Sequence, residues 1–144
     1  MSWSKREVIK QAFTEIGLAS YAFDLSAEEM QDAMRILDSM MGVWISRGIT
    51  FDTAYPIPAT IAAGDLDDDT NAPDGAVEPM YLNLAIRLAP GFGKGVLPDT
   101  KIAALNGYNT LLGQSLTIPE VSLEGGLVGA GAKTPLRPFF GEAS

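Results

Sequence analysis

The chain has 144 residues, a formal net charge of -8 from 10 Lys and Arg against 18 Asp and Glu, and neither Cys nor His. The absence of Cys and His excludes disulfides, thiolate nucleophiles, Cys/His zinc sites and histidine-based catalytic triads. Hydrophobic residues make up 47% of the chain and charged residues only 19%. We therefore expect one domain that leaves some apolar surface for a partner.

The acidic balance also restricts the partners. A pI near 4.3 argues against wrapping nucleic acid through phosphate neutralisation. No run of residues approaches the roughly 18 to 20 apolar positions that a membrane-spanning helix needs, and residues 1–7 lack the apolar core of a signal peptide. We expect a protein that stays inside the cell where it is made and binds no membrane.

Two capping boxes of the form S-x-x-E predict where the first two helices begin. The first follows Ser4 and predicts helix 1 over residues 5–16. The second follows Ser26 and predicts helix 2 over residues 27–47. Gly17 then supplies the left-handed residue that ends helix 1.

The strongest apolar periodicity in the chain lies on helix 2. Four methionines share its stripe: Met30, Met34, Met40 and Met41. A methionine-rich stripe can form an adaptable binding face, but core packing is the favoured interpretation because other large apolar residues complete the stripe. The residues predicted to form the core or to hold the assembly together are Phe13, Met34, Leu37, Met41, Trp44, Leu84 and Leu88.

The middle of the chain changes character. Residues 49–61 contain two prolines and are predicted to be extended, so they could pair as a strand only at the edge of a sheet. Residues 64–75 are predicted to form a solvated acidic loop. A third helix is predicted over 77–89, with Pro79 in its first turn. A fourth is predicted over 98–115, with one apolar face formed by Ile102, Leu105, Leu112 and Leu116.

These elements predict a mainly α fold, a small bundle of about four helices with a long extended loop. Residues 1–116 would form the helical core, with the extended acidic loop at 51–75 inside it. Residues 117–144 are rich in Gly and Pro and have no core of their own. They are either a disordered terminus or an extended C-terminal arm that orders on a partner.

The acidic loop also resembles part of a calcium site. Asp67, Asp69, Asn71 and Glu78 have the spacing of EF-hand ligands, but Ala72 occupies the position where the turn needs Gly. A solvated loop is the favoured interpretation, with weak divalent binding as the alternative. We predict no resident metal and no cofactor.

Carboxylates are the other candidate chemistry, because an enzyme without His could be a hydrolase that uses two acidic side chains. The candidates are Glu15, Asp24, Glu28 and Glu29. Structural roles explain them better, since Glu28 and Glu29 lie in the first turn of helix 2, where negative charge stabilises the helix dipole. We therefore predict that the chain is not an enzyme.

Residues along three helices resemble those of a known protein family. They are Gly17-Leu18-Ala19-Ser20, Met30-Gln31-Asp32-Ala33, Leu37, Met40-Met41, Trp44, Gly48-Ile49 and Asn83-Leu84-Ala85-Ile86-Arg87-Leu88-Ala89-Pro90. Together they resemble the head-to-tail adaptors of tailed bacteriophages, and most closely the tail accessory factor, or packaged-DNA stabilisation protein, of short-tailed phages. The resemblance covers residues 4–116.

The resemblance implies a structural virion protein at the head–tail junction, made in the host cytoplasm. It implies a helical bundle that assembles with neighbouring copies as a dodecameric ring beneath the portal protein. Such a ring extends the DNA channel, retains packaged DNA and offers an attachment surface to tail or nozzle proteins. DNA would pass through it without sequence-specific binding.

The resemblance further implies that the C-terminal arm docks on the portal, and the plausible anchors are Leu136, Arg137, Pro138, Phe139 and Phe140. No family motif falls after Thr117, so this assignment depends on position and composition. The acidic loop would face either the channel or the next tail protein, through Asp65, Asp67, Asp68, Asp69 and Asp74.

Two other functions stay open. One is a small carboxylate-dependent hydrolase that acts on cell-wall glycans during infection. The other is a helical scaffolding protein with no role in the virion.

Overall fold

The computed structural model describes residues 2–18, 24–60 and 63–115. Their regular elements are α1 (Lys5–Glu15), α2 (Ala27–Ser46), α3 (Asp74–Leu88), a 3₁₀ turn (Ala89–Phe92) and α4 (Pro98–Ser115). The mainly α prediction is confirmed, and α1, α2 and α4 begin and end within one residue of the predicted bounds. Residues 116–144, which include the predicted arm, lie outside the described residues.

Local side-chain chemistry fixes the starts of the first two helices. The Ser4 hydroxyl accepts a hydrogen bond from the Glu7 backbone N–H at 3.3 Å, and Glu7 Oε2 accepts from the Ser4 N–H at 2.8 Å. Ser26 and Glu29 repeat this exchange at 3.1 and 2.8 Å. Gly17 has φ of +85° and ends α1 as predicted.

Helix α3 differs from its prediction. It begins at Asp74, three residues before the predicted start, and therefore takes in the end of the predicted acidic loop. Pro79 lies inside the helix rather than in its first turn, and its missing N–H removes one bond, to the carbonyl of Gly75. No side chain caps this helix, since Pro73 is its N-cap. The usual sequence signal for a helix start is therefore absent.

The core forms where α1, α2 and α3 meet. The seven residues predicted for the core are all buried: Phe13, Met34, Leu37, Met41, Trp44, Leu84 and Leu88. The four methionines of the α2 stripe are buried as well, which confirms that they pack in the core. Aromatic pairs extend it, with Phe13 and Phe92 edge to face at 5.1 Å between ring centroids.

Helix α4 packs closely on α3. Ala104 and Leu111 are its two buried residues, and Gly107 lies against the ring of Pro79. The predicted apolar face is a different one, because Ile102 is 58% exposed. Leu116, the last residue of that predicted face, lies outside the described residues.

The segment after α2 forms no strand within residues 49–60. Instead, its backbone groups form isolated hydrogen bonds with side chains elsewhere in the chain. The carbonyl of Ala54 accepts from Asn71 Nδ2 at 2.9 Å, and the Thr50 N–H donates to Ser115 Oγ at 3.3 Å. The prolines of this segment have no N–H, so a continuous ladder is not available to it.

Candidate assembly surfaces

The acidic loop is folded onto the start of α1. The N–H groups of Lys5 and Arg6 donate to the carbonyls of Asp68 and Leu66 at 2.9 and 2.8 Å. These are N–H groups that the first turn of a helix leaves without intrahelical partners. Thr70, fully buried, anchors the loop further by donating from both N–H and Oγ1 to the carbonyl of Trp3. The loop backbone is thus part of the packed structure.

The loop carboxylates form an acidic surface above that backbone. Asp65, Asp67, Asp69 and Asp74 are exposed and Asp68 is half-buried. Arg6 Nε contacts Asp67 Oδ1 at 2.8 Å, and this hydrogen bond and charge lower the pKa of Asp67 below its ordinary value.

Two of the oxygens expected at a calcium site have other partners. Asp67 is held by Arg6, while Asp69 accepts from the Ser2 hydroxyl and the Asn71 N–H, both at 2.8 Å. Across residues 2–18, 24–60 and 63–115, no three acidic side chains are grouped so that they could hold a metal ion. The loop geometry therefore accounts for these aspartates through hydrogen bonds within the chain.

A buried ion pair ties the segment after α2 to the helices. Lys5 is fully buried, and its Nζ contacts Asp38 Oδ1 at 2.8 Å and donates to the carbonyl of Pro56 at 2.9 Å. The Tyr55 hydroxyl donates to the same Asp38 oxygen at 2.6 Å. Burial, followed by the hydrogen bond to Asp38, raises the pKa of Tyr55. Sequence patterns gave no signal for this cluster, because its members are far apart in the chain.

The carboxylates considered for catalysis are not arranged as one site. Glu15 accepts from Gln11 Nε2 at 3.1 Å, and Glu29 is occupied by its capping bond to Ser26. Asp24 and Glu28 are exposed, as is Glu15. Glu28 lines a shallow groove beside Arg35 and Asp32, which form a surface ion pair at 2.7 Å.

A different groove brings two carboxylates together. Its lining includes Asp52 and Asp74 with Phe51 and Asn71. Asn71 has φ of +58°, an αL conformation that Asn adopts more readily than most residues. Sequence reasoning missed that Asp52 and Asp74 line one groove, since this arises from how the loop returns to α3.

The predicted portal anchors Leu136, Arg137, Pro138, Phe139 and Phe140 all lie outside the described residues.

The sequence relates this chain to a known protein family. Residues 1–136 match the sequence profile of the family described as the P22 tail accessory factor. The chain belongs to the P22 tail accessory factor family. The match extends past the predicted helical core and includes Leu136.

One relative of this chain has the name of an enzyme. It is called Peptidoglycan hydrolase gp27 and comes from Acyrthosiphon pisum secondary endosymbiont phage 1. The two are 26% identical over 132 residues, which cover 89% of this chain and 81% of the relative. The family description is that of a structural tail part, while the relative's name is that of an enzyme.

Membership in a tail accessory factor family supports a phage, tail-associated structural role and association with the virion. It does not support a scaffolding protein without a virion role. Among the helices in the described residues, none is both long and apolar enough to cross a bilayer.

Proposed function

We propose that the chain is the head-to-tail adaptor of a phage, assembling as a ring beneath the portal protein. The ring extends the DNA channel, retains packaged DNA and presents a surface to tail or nozzle proteins. The family match over residues 1–136 is the observation that carries this proposal. The four helices of the described residues are a second support, because they supply the helical body that the proposed ring needs.

The charge distribution supports a conduit. The chain carries a net charge of -8, and exposed carboxylates at Asp65, Asp67, Asp69 and Asp74 concentrate part of it on one loop. Such a surface repels the phosphate backbone, whereas a basic surface would hold the duplex by releasing counterions. Because hydrogen bonds to Trp3 and to the start of α1 hold the loop, its charge stays in a fixed place on the protein.

The C-terminal residues are proposed to dock on the portal. Phe139, Phe140 and Leu136 supply apolar contact and Arg137 a cation. A single arm of this size binds weakly, but arms presented together around a ring bind collectively through their high effective concentration.

Full-length protein mixed with purified portal particles and viewed by electron microscopy tests this function. We expect added density beneath the portal for the wild type and none for Phe139→Ser/Phe140→Ser or for deletion of residues 117–144. Circular dichroism controls for folding, and Val128→Ser is a control substitution in the same region. Equal binding by the deletion variant would refute the docking arm, and no wild-type binding would refute the adaptor.

The relative named Peptidoglycan hydrolase gp27 favours a second candidate function, hydrolysis of cell-wall glycan by two carboxylates. The proposed place for it is the groove that Asp52 and Asp74 line with Phe51, because a sugar ring can stack on an aromatic side chain between acidic groups. The earlier candidates Glu15 and Glu28 are exposed, and the groove that Glu28 lines with Asp32 has no aromatic side chain in its lining.

Clearing of a cell-wall suspension tests the second function. Wild-type protein is compared with Asp52→Asn and Asp74→Asn, and with Glu15→Gln and Glu28→Gln as matched carboxylate controls. Loss of clearing in the first two variants alone supports the groove. No clearing by wild type ends this candidate.

A further inference from the structure

Helix α4 has two apolar faces. One packs on α3 through Ala104 and Leu111. The other carries Ile102 and Leu105, each 58% exposed, and is bordered by Leu112, which is half-buried because it packs against the core. These three residues recur at spacings of three and seven, so they form one stripe along the helix. We call it the α4 stripe, and no described residue covers its centre.

The α4 stripe is also free of charge. Residues 102–115 contain no Asp, Glu, Lys or Arg, although the chain carries a net charge of -8. Exposed helix surface in an acidic protein is ordinarily charged. A surface that is apolar and uncharged can approach another strongly acidic molecule with the least repulsion. It has little attraction for a basic partner or for nucleic acid.

A second, largely apolar surface lies elsewhere on the molecule. A groove between α2 and the segment after it is lined by Arg35, Asp38, Ser39, Ile57, Pro58 and Thr60, and we call it the Ile57 groove. Ile57 is 48% exposed. The groove's two charges are already neutralised, since Arg35 pairs with Asp32 and Asp38 with Lys5.

The two surfaces face different directions. Helix α4 meets α2 through Tyr108, whose ring lies 5.4 Å from that of Trp44 and whose hydroxyl accepts from Arg47. Arg35, which lines the Ile57 groove, precedes Trp44 by nine positions. At about 3.6 residues per turn this is two and a half turns, so Arg35 lies on the opposite side of α2.

We infer that the α4 stripe of one copy packs into the Ile57 groove of the neighbouring copy. A ring of identical copies needs two different surfaces that fit each other, because a surface that pairs with itself stops at a dimer. The chain supplies an exposed helix face and a groove, both largely apolar and without uncompensated charge, on different sides. The inference rests on the proposed ring and names the surfaces by which its members touch.

The contact is small. Stable protein interfaces bury about 1,200 to 2,000 Å² in total. In the described residues the stripe offers Ile102, Leu105 and only the exposed part of Leu112. Two free copies therefore associate weakly. Copies held side by side on a portal meet at a high effective concentration, which completes the contact there.

The absence of Cys makes a cross-linking test direct. Leu105→Cys and Ile57→Cys are prepared as separate full-length variants, mixed on portal particles and oxidised. The heterologous contact predicts a disulfide-linked dimer in the mixture and none with either variant alone. Ala103→Cys, exposed on α4 but off the stripe, replaces Leu105→Cys as the matched control and should give no dimer.

Each other outcome overturns the inference. Dimers from Leu105→Cys alone would mean that the stripe pairs with itself. An intramolecular link between Leu105→Cys and Phe139→Cys would assign the stripe to the chain's own C-terminal residues. Rings that form on portals without the mixed link would show a different neighbour contact, while the adaptor proposal would stand. If portals bind nothing, oxidation of the concentrated free mixture still tests the contact, and absence of the link there refutes it.

Discussion

The ring of Pro79 in α3 occupies the space that a side chain at Gly107 in α4 would need. A Cβ built on Gly107 would lie 2.7 Å from Pro79 Cγ and 3.0 Å from its Cβ. Beside this contact, Asn83 Nδ2 donates both to the carbonyl of Pro79 at 2.8 Å and to that of Ala104 at 3.0 Å. The proline within α3 and the glycine within α4 thus allow the two helices to approach closely.

Gly107→Ala is therefore expected to destabilise the protein. Overpacking a closed contact costs about 1 to 3 kcal/mol, and this outweighs the gain of up to about 1 kcal/mol from placing Ala in a helix. Gly113→Ala is the matched control, since nothing lies within 4 Å of its Cβ position, and it should stabilise. Urea unfolding measures the free energy of unfolding of both variants. If both substitutions stabilise the protein, the Pro79 ring can move away from residue 107 at little cost.

Lys5 and Arg6 are adjacent basic residues, each paired with an aspartate at 2.8 Å, yet their environments differ. Lys5 is fully buried, so Lys5→Met strands the Asp38 carboxylate and should cost about 3 to 5 kcal/mol. Arg6→Met breaks an exposed pair with Asp67 and should change stability little. Thermal unfolding of the two variants compares them, and equal losses would contradict the difference in burial.

The burial of Tyr55 predicts sensitivity to alkali. Its pKa is raised in the fold, so the stability it contributes is complete below the ordinary value of 10.0 and is lost as the pH rises above it. Above pH 10 the free energy of unfolding should fall by up to about 1.4 kcal/mol per pH unit more than in Tyr55→Phe. Urea unfolding at several alkaline pH values measures the slope, and identical slopes would show that Tyr55 ionises freely when folded.

How far the fold could be predicted depended on local signals. Capping boxes at Ser4 and Ser26 gave the starts of α1 and α2 because side chain and backbone interact within four residues. The predicted start of α3 was wrong because Pro73 offers no capping side chain, and because Pro79 is a residue type that is common in the first turn of a helix. The ring of Pro79 has room against α4 because residue 107 is Gly, and such a contact between distant residues leaves no local signal.

The candidate surfaces needed the structure for the same reason. The spacing of Ile102, Leu105 and Leu112 marks an apolar face, but only the packing of Ala104 and Leu111 shows that this face points away from α3. Close helix approach selects small residues, and these carry little hydrophobic signal in a sequence.

Salt should strengthen, not weaken, the assembly of copies. Each copy carries a net charge of -8, so neighbours repel, and the Debye length falls from about 10 Å at 0.1 M to about 3 Å at 1 M salt. The uncharged contact between the α4 stripe and the Ile57 groove loses nothing to screening. We expect more complete rings on portal particles at higher NaCl, counted by electron microscopy. Asp65→Asn/Asp69→Asn, which removes two exposed charges, should reach the same completeness at lower salt. A steep loss of rings with added salt would mean instead that ion pairs between copies hold them together.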